Sequence, residues 1–204
     1  AERAADSGSR LGVAFLISIV LIMMTISLNF KSFYQARLIL MVVPIGVFSA
    51  LLGHGIVGKP FSILSVWGVV ALVGILVNDA VVMLDQFNKN LEKGMDIKLS
   101  VIYAGKSRFR AIILTTITTV AGLYPLILEK SFQAQFLIPM AISVAYGVLF
   151  GTIILLIYFP PLILYFNDIQ RTKKWIWEGG KNPPNWSEVE PVIKNIQRVK
   201  EFEE

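Results

Sequence analysis

The stretch Gly74–Phe87, GILVNDAVVMLDQF, sets a carboxylate inside a run of Val, Leu and Ile. The run resumes at Ala80 and closes at Asp85. Upstream, no Lys, Arg, Asp or Glu occurs from Pro60 to Asn78. Further charge-free gaps run from Leu11 to Phe30, Leu38 to Gly58, Ala111 to Leu128 and Ser131 to Asn167. A spanning helix needs about 20 mainly apolar residues. Each gap therefore predicts one transmembrane helix, with the longest read as a short loop plus one span. The expected fold is an all-α membrane protein, a five-transmembrane-helix bundle.

Composition agrees. The 204 residues are 55% hydrophobic and 16% charged, and the mean hydropathy is +0.66. Soluble domains average roughly 45–50% apolar and about 25% charged residues. The first span follows a mixed-charge decapeptide and exceeds a signal-peptide core in length, so it reads as a retained helix. The absence of cysteine excludes disulfides and thiolate metal sites. A first residue of Ala rather than Met is expected of a processed, trimmed or fragmentary sequence.

The net charge of +5 is distributed unevenly. Lys31 and Arg37 lie between the first two spans. Lys89, Lys93, Lys98, Lys106, Arg108 and Arg110 lie between the third and fourth, and Arg171, Lys173 and Lys174 follow the fifth. The alternate connections offer Lys59 and Lys130, and Arg3 and Arg10 precede the first span. Basic residues collect on the cytoplasmic side. The N-terminus is expected outside and the C-terminus inside. Bases that alternate with spans serve topology, so no nucleic-acid partner is expected.

Within the spans, Pro44 predicts a kink in the second. Gly68 and Gly74 predict a smooth face on the third, where another helix can sit closely. Ile97, Leu99, Val101 and Ile102 alternate with polar residues and predict a short cytoplasmic amphipathic helix. The fourth span carries Thr115–Thr116 and Thr118–Thr119. The fifth is expected over about Phe136 to Phe166. Trp175 and Trp177 are expected near the headgroups, and a short helix is possible from Ser187 onward. His54, the only histidine, reads as a lone interfacial polar residue at the outer end of span two.

Asp79 lies about 8–10 Å inside the cytoplasmic end of its span, at 1.5 Å per residue. An aspartate at mid-membrane costs about 2.5–3.5 kcal/mol. Such groups face a bundle interior or a water-filled cavity and find a partner. Arg108 and Arg110 open span four. Thr115 stands seven residues past Arg108, on roughly the same face. An acid, a base and a hydroxyl can then form a polar track, with Arg110 serving as a topology anchor. Burial raises an acid's pKa and a nearby cation lowers it, so an acid poised between them can load and release protons. No HExxH, GxSxG or P-loop motif occurs, nor a second acid in the membrane. No enzyme activity and no cofactor are expected.

These residues also carry a resemblance. GILVNDAVVMLDQFN, GKSRFRAIILTTITTVAGLYPLIL and QAQFLIPMAISVAYGVLFGT together resemble the resistance-nodulation-division (RND) efflux permeases, over about Leu11 to Arg171. The match is to the C-terminal transmembrane half, the eighth to twelfth helices. It implies residues 1–10 as the end of a periplasmic porter region, 11–168 as the transmembrane domain and 169–204 as a cytoplasmic tail. It further implies a homotrimer in the bacterial inner membrane, among lipid. Such a permease is driven by the proton gradient and works with a periplasmic adaptor and an outer-membrane channel to export drugs or other amphiphiles. The proton relay implied is Asp79, Asn78, Arg108 and Thr115. Many members carry a lysine where this chain has Asn78, and their paired aspartates lie on the fourth helix, in the other half. This chain alone is therefore not expected to transport. Sterol-sensing domains and protein-translocation accessory proteins resemble the same five-helix unit. A non-transporting scaffold, with Asp79 and Arg108 merely pairing helices, is the remaining alternative.

Overall fold

A computed structural model describes residues 2–30 and 32–178. The proposed tail helix beyond Ser187 lies outside them. Six helices follow in order: α1 (Glu2–Phe30), α2 (Phe33–Leu40), α3 (Val42–Val57), α4 (Ile63–Glu92), α5 (Ile97–Leu128) and α6 (Phe132–Glu178). Among the described residues, five stretches are long and apolar enough to cross a membrane: Gly12–Phe30, Phe33–Val57, Ile63–Glu92, Ile97–Leu128 and Phe132–Trp177.

The second stretch is two helices, broken at Met41. Pro44 lacks an N–H, and its ring crowds the carbonyl four residues back, that of Leu40. The break therefore falls at Leu40–Met41, one turn ahead of the proline. Ser32 opens α2, its hydroxyl accepting from the Gln35 N–H at 3.4 Å, and α1 packs against α2. Gly58 ends α3 in the left-handed conformation with φ 70°, its N–H donating to the His54 carbonyl.

Two expectations about helix extent are modified. The amphipathic segment from Ile97 is helical, but it forms the first turns of α5 and not a separate element. No proline interrupts residues 97–124, so nothing in the chain stops the helix there. α6 runs unbroken for 47 residues through Pro139, Pro160 and Pro161, about 70 Å at 1.5 Å per residue. Spanning helices tolerate proline because neighbouring groups re-satisfy the freed carbonyls. The loop before α6 is correspondingly short. In it, Glu129 Oε1 accepts from the N–H groups of Lys130 and Ser131, both at 2.9 Å. The Ser131 N–H, then that of Lys130, holds the exposed Glu129 carboxyl below the ordinary glutamate range.

The chain divides into two compact units. The first holds the residues up to Ala80 together with Ile112–Leu155. Its core is built from leucine against glycine. A Cβ on Gly147 would meet Leu72, and one on Gly151 would come within 2.8 Å of Leu76 Cδ1. On the other side, a Cβ on Gly46 would lie 3.1 Å from the same Leu76 Cδ1. α4 therefore inserts Leu72 and Leu76, both fully buried, into glycine gaps on α3 and α6. Gly68 reverses the pattern: a Cβ there would lie 2.6 Å from the Met140 carbonyl oxygen and 2.8 Å from Ser143 Cβ. Close backbone approach of this kind is how membrane helices gain packing without a hydrophobic driving force between them.

The second unit holds Val81–Ala111 and, of the described residues, 156–178. Met83, Leu84 and Phe87 of α4, Ile97 and Val101 of α5, and Phe159 and Leu162 of α6 are buried in it.

Candidate functional site

In the first unit, Asp79 is 7% exposed. Its Oδ2 is buried and has no hydrogen-bond partner among the described residues. The α4 periodicity explains the placement. Leu72, Leu76, Ala80 and Met83 form the buried stripe, and Asp79 falls beside it, three residues past Leu76. Asn78, rotated 100° back, is exposed. Thr115 is exposed as well, and its hydroxyl donates to the Ile112 carbonyl of its own helix at 2.8 Å. The first unit therefore contains three of the four residues singled out from sequence. It buries only the carboxylate and leaves Asn78 and Thr115 on uncovered surface.

The hydroxyl that is buried is the neighbouring one. Thr116 is 4% exposed and donates to Thr152 Oγ1 at 3.0 Å. This bond ties α5 to α6. Sequence reasoning passed over Thr116, although a second hydroxyl beside the first was the available signal.

Arg108 belongs to the second unit and is half-buried. Its Nη2 donates to Gln86 Oε1 at 3.2 Å. Gln86 Nε2 donates to Asn90 Oδ1 at 3.1 Å, and Asn90 Nδ2 donates to the Ser100 carbonyl at 3.1 Å. The Nε of Arg108 is buried without a partner among the described residues. The guanidinium is thus held by a chain of neutral amides at the α4–α5 connection. Gln86 and Asn90, four residues apart on α4, form that ladder and were not foreseen. Arg110 is exposed.

His54 is not lone. It is 4% exposed, and both ring nitrogens are engaged. Nδ1 lies 3.1 Å from the Ala50 carbonyl, which can only accept, so Nδ1 carries the proton. Nε2 then accepts from the Ser65 hydroxyl at 2.9 Å. Ser65 Oγ also accepts from the Ser62 N–H at 3.0 Å, and Phe61 meets the imidazole edge-on with centroids 5.1 Å apart. The loop between α3 and α4 folds back on itself and buries the ring.

Among the described residues, no three His, Cys, Asp or Glu side chains form a group that could hold a metal ion. The chemistry in reach is that of one buried acid, one amide-held guanidinium and several hydroxyls in helices long enough to span a bilayer.

The molecule is a multi-pass helical membrane protein. Its sequence matches the AcrB/AcrD/AcrF family over residues 1–167, and the chain belongs to that family of resistance-nodulation-division efflux transporters. It is 27% identical to the multidrug resistance protein MdtC of Erwinia amylovora over 161 residues, 78% of this chain and 16% of that protein. It is 29% identical to the swarming motility protein SwrC of Bacillus subtilis over 157 residues, 76% of this chain and 15% of that protein. The crystal structure of a heavy metal efflux pump superposes with a TM-score of 0.70 at 24% identity, over 82% of this chain and 16% of that one. That likeness shows the fold. The chain thus spans about one sixth of the length of the relatives it matches. These similarities do not favour a sterol-sensing or translocation-accessory domain, nor a bare scaffold.

Proposed function

We propose that the chain is the C-terminal membrane half of a proton-driven efflux transporter, and that Asp79 is a protonation site of its relay. The burial of Asp79 inside a spanning helix carries this reading. A carboxylate shielded from water must find a counter-charge or take up a proton. Each proton crossing 100 mV releases about 2.3 kcal/mol, which is the energy such a relay would spend on export. Asn78, Arg108 and Thr115 are the other residues assigned to that relay. Asn78 offers only hydrogen bonds where relatives of the family carry a lysine, so Arg108 is the main cation of the relay. The uncovered positions of Asn78 and Thr115 support a role toward helices other than those of this chain.

On this reading residues 1–10 end a periplasmic porter region, 11–168 form the membrane domain and 169–204 the cytoplasmic tail. The complete permease is a trimer in the bacterial inner membrane, coupled to a periplasmic adaptor and an outer-membrane channel. It exchanges protons for drugs or other amphiphiles. The test is Asp79→Asn in the permease as expressed in cells, read as export of an amphiphilic dye against external pH. Export is expected to fall to background at every pH. Export that continued with its pH dependence intact would remove Asp79 from the relay.

A further inference from the structure

The first turns of α5 carry a surface that neither the relay nor the helix packing uses. Ile97, Ser100, Val101 and Ala104 are buried. The opposite arc, about 140° wide at 100° per residue, holds side chains of two kinds only. Lys98, Lys106 and Arg110 are exposed on it. Between them lie Ile102 and Tyr103, each 51% exposed, and Phe109, 54% exposed. No acid occurs between Ile97 and Arg110. Of the nearby carboxylates, Asp85 pairs with Lys89 at 2.7 Å, and Asp96 accepts from the Lys98 N–H at 3.1 Å.

A purely water-facing surface would mix both signs of charge and would not expose this much apolar and aromatic area. A purely lipid-facing one would not carry three cations. Bases interleaved with aromatic and aliphatic side chains are what the headgroup layer accepts. Position agrees, because the charge-free stretch from Ala111 to Leu128 begins directly after Arg110. Lys106 stands about 6 Å from Arg110 along the helix, which is about the depth of one headgroup layer.

We propose that this face of α5 is a binding site for anionic phospholipids. Lys106 and Arg110 would engage the phosphate, Lys98 would add to the field, and Ile102, Tyr103 and Phe109 would lie against the glycerol and upper acyl chain. Arg110 then does more than anchor topology: it selects which lipid borders α5. The site does not depend on the Asp79 relay.

The probes are phosphatidylglycerol and phosphatidylcholine, added in equal amounts to the full chain in detergent, with lipid retention read by native mass spectrometry. Phosphatidylglycerol is expected to be retained preferentially. Lys106→Gln and Arg110→Gln are each expected to reduce that preference about fivefold, the usual contribution of one basic residue near an anionic surface. Lys173→Gln with Lys174→Gln, on α6, is expected to leave the preference unchanged. Equal retention of the two lipids by the unaltered chain overturns the proposal, as does loss of the preference in the α6 pair only. A photoreactive residue at Ile102 supplies a readout without charge removal. Phosphatidylglycerol adducts are expected there, whereas protein adducts alone, or none, overturn it.

Discussion

A shift of one residue along a helix turns a side chain by 100°, and in a membrane bundle that decides what its polar atom meets. Thr115 and Thr116 show the consequence. The first is exposed and bonds back to its own helix at 2.8 Å; the second is buried and crosses to Thr152 at 3.0 Å. Thr116→Val keeps the shape but deletes the only donor shown for that contact. Hydrogen bonds between membrane helices average about 0.6 kcal/mol and reach about 1.7. Thr116→Val is therefore expected to destabilise the chain by about 0.6–1.7 kcal/mol, and Thr115→Val by a few tenths at most, in reversible unfolding from detergent. A larger loss for Thr115 would mean that the buried hydroxyl had been misassigned. Asp79 was legible at this scale because a charge inside an apolar run is its own signal. His54 was not: its partner Ser65 lies eleven residues away and across a turn, and nothing in GHG says that the loop will fold over the ring. The Arg108–Gln86 bond spans 22 residues and was equally invisible, since Gln86 looks like any polar residue near a helix end.

At the scale of the helix, charge-free gaps located all five spans, because the cost of a charge in hydrocarbon leaves a mark on every segment. What they could not locate were breaks and continuities. Pro44 ends a helix one turn upstream, whereas Pro160 and Pro161 leave α6 unbroken, and the difference depends on whether neighbours re-satisfy the freed carbonyls. Glycines divide in the same way. Gly68 and Gly74 both mark α4 as a packing helix in sequence, yet only Gly68 is in close contact. Its Cβ position faces the Met140 carbonyl at 2.6 Å, while nothing lies within 4 Å of that of Gly74. A backbone carbonyl within a helix cannot swing aside, so Gly68→Ala is expected to cost about 1–3 kcal/mol, as overpacking does. Gly74→Ala is expected to be neutral, or stabilising by up to about 1 kcal/mol through helix propensity. The pair is best compared in one unfolding experiment, and equal losses would contradict the packing of α4 on α6. In an assembled permease the comparison gains a second use. A loss of export on Gly74→Ala, without loss of chain stability, would place a helix from elsewhere in the transporter against that face.

For the whole molecule, the quantity that sequence suggests and helix packing leaves open is direction across the bilayer. Five spans put the two ends on opposite sides, so one orientation decides every loop. Lys and Arg crowd the chain from Lys31 to Arg37 and from Lys89 to Arg110, and recur after Asn167, whereas the connections before α4 and before α6 carry only Lys59 and Lys130. Such an asymmetry in short loops orients membrane proteins with the basic side in the cytoplasm. The chain is suited to a direct test because it contains no cysteine. Lys59→Cys and Lys130→Cys are expected to react with a membrane-impermeant maleimide added to intact cells whose outer membrane has been opened. Lys93→Cys and Lys174→Cys are expected to react only after the inner membrane is permeabilised as well. The reverse pattern would invert the chain and place Asp79 near the periplasmic end of α4, where a proton from the periplasm would cross little of the membrane before reaching it. Labelling of Lys93→Cys and Lys130→Cys from the same side would show that α5 does not cross, and the five-span bundle itself would fail. With the expected pattern, Asp79 stands about two turns from the cytoplasmic end of the apolar run that closes at Asp85. A proton arriving from the periplasm must then traverse most of the membrane before reaching it, and the gradient can do work on the way.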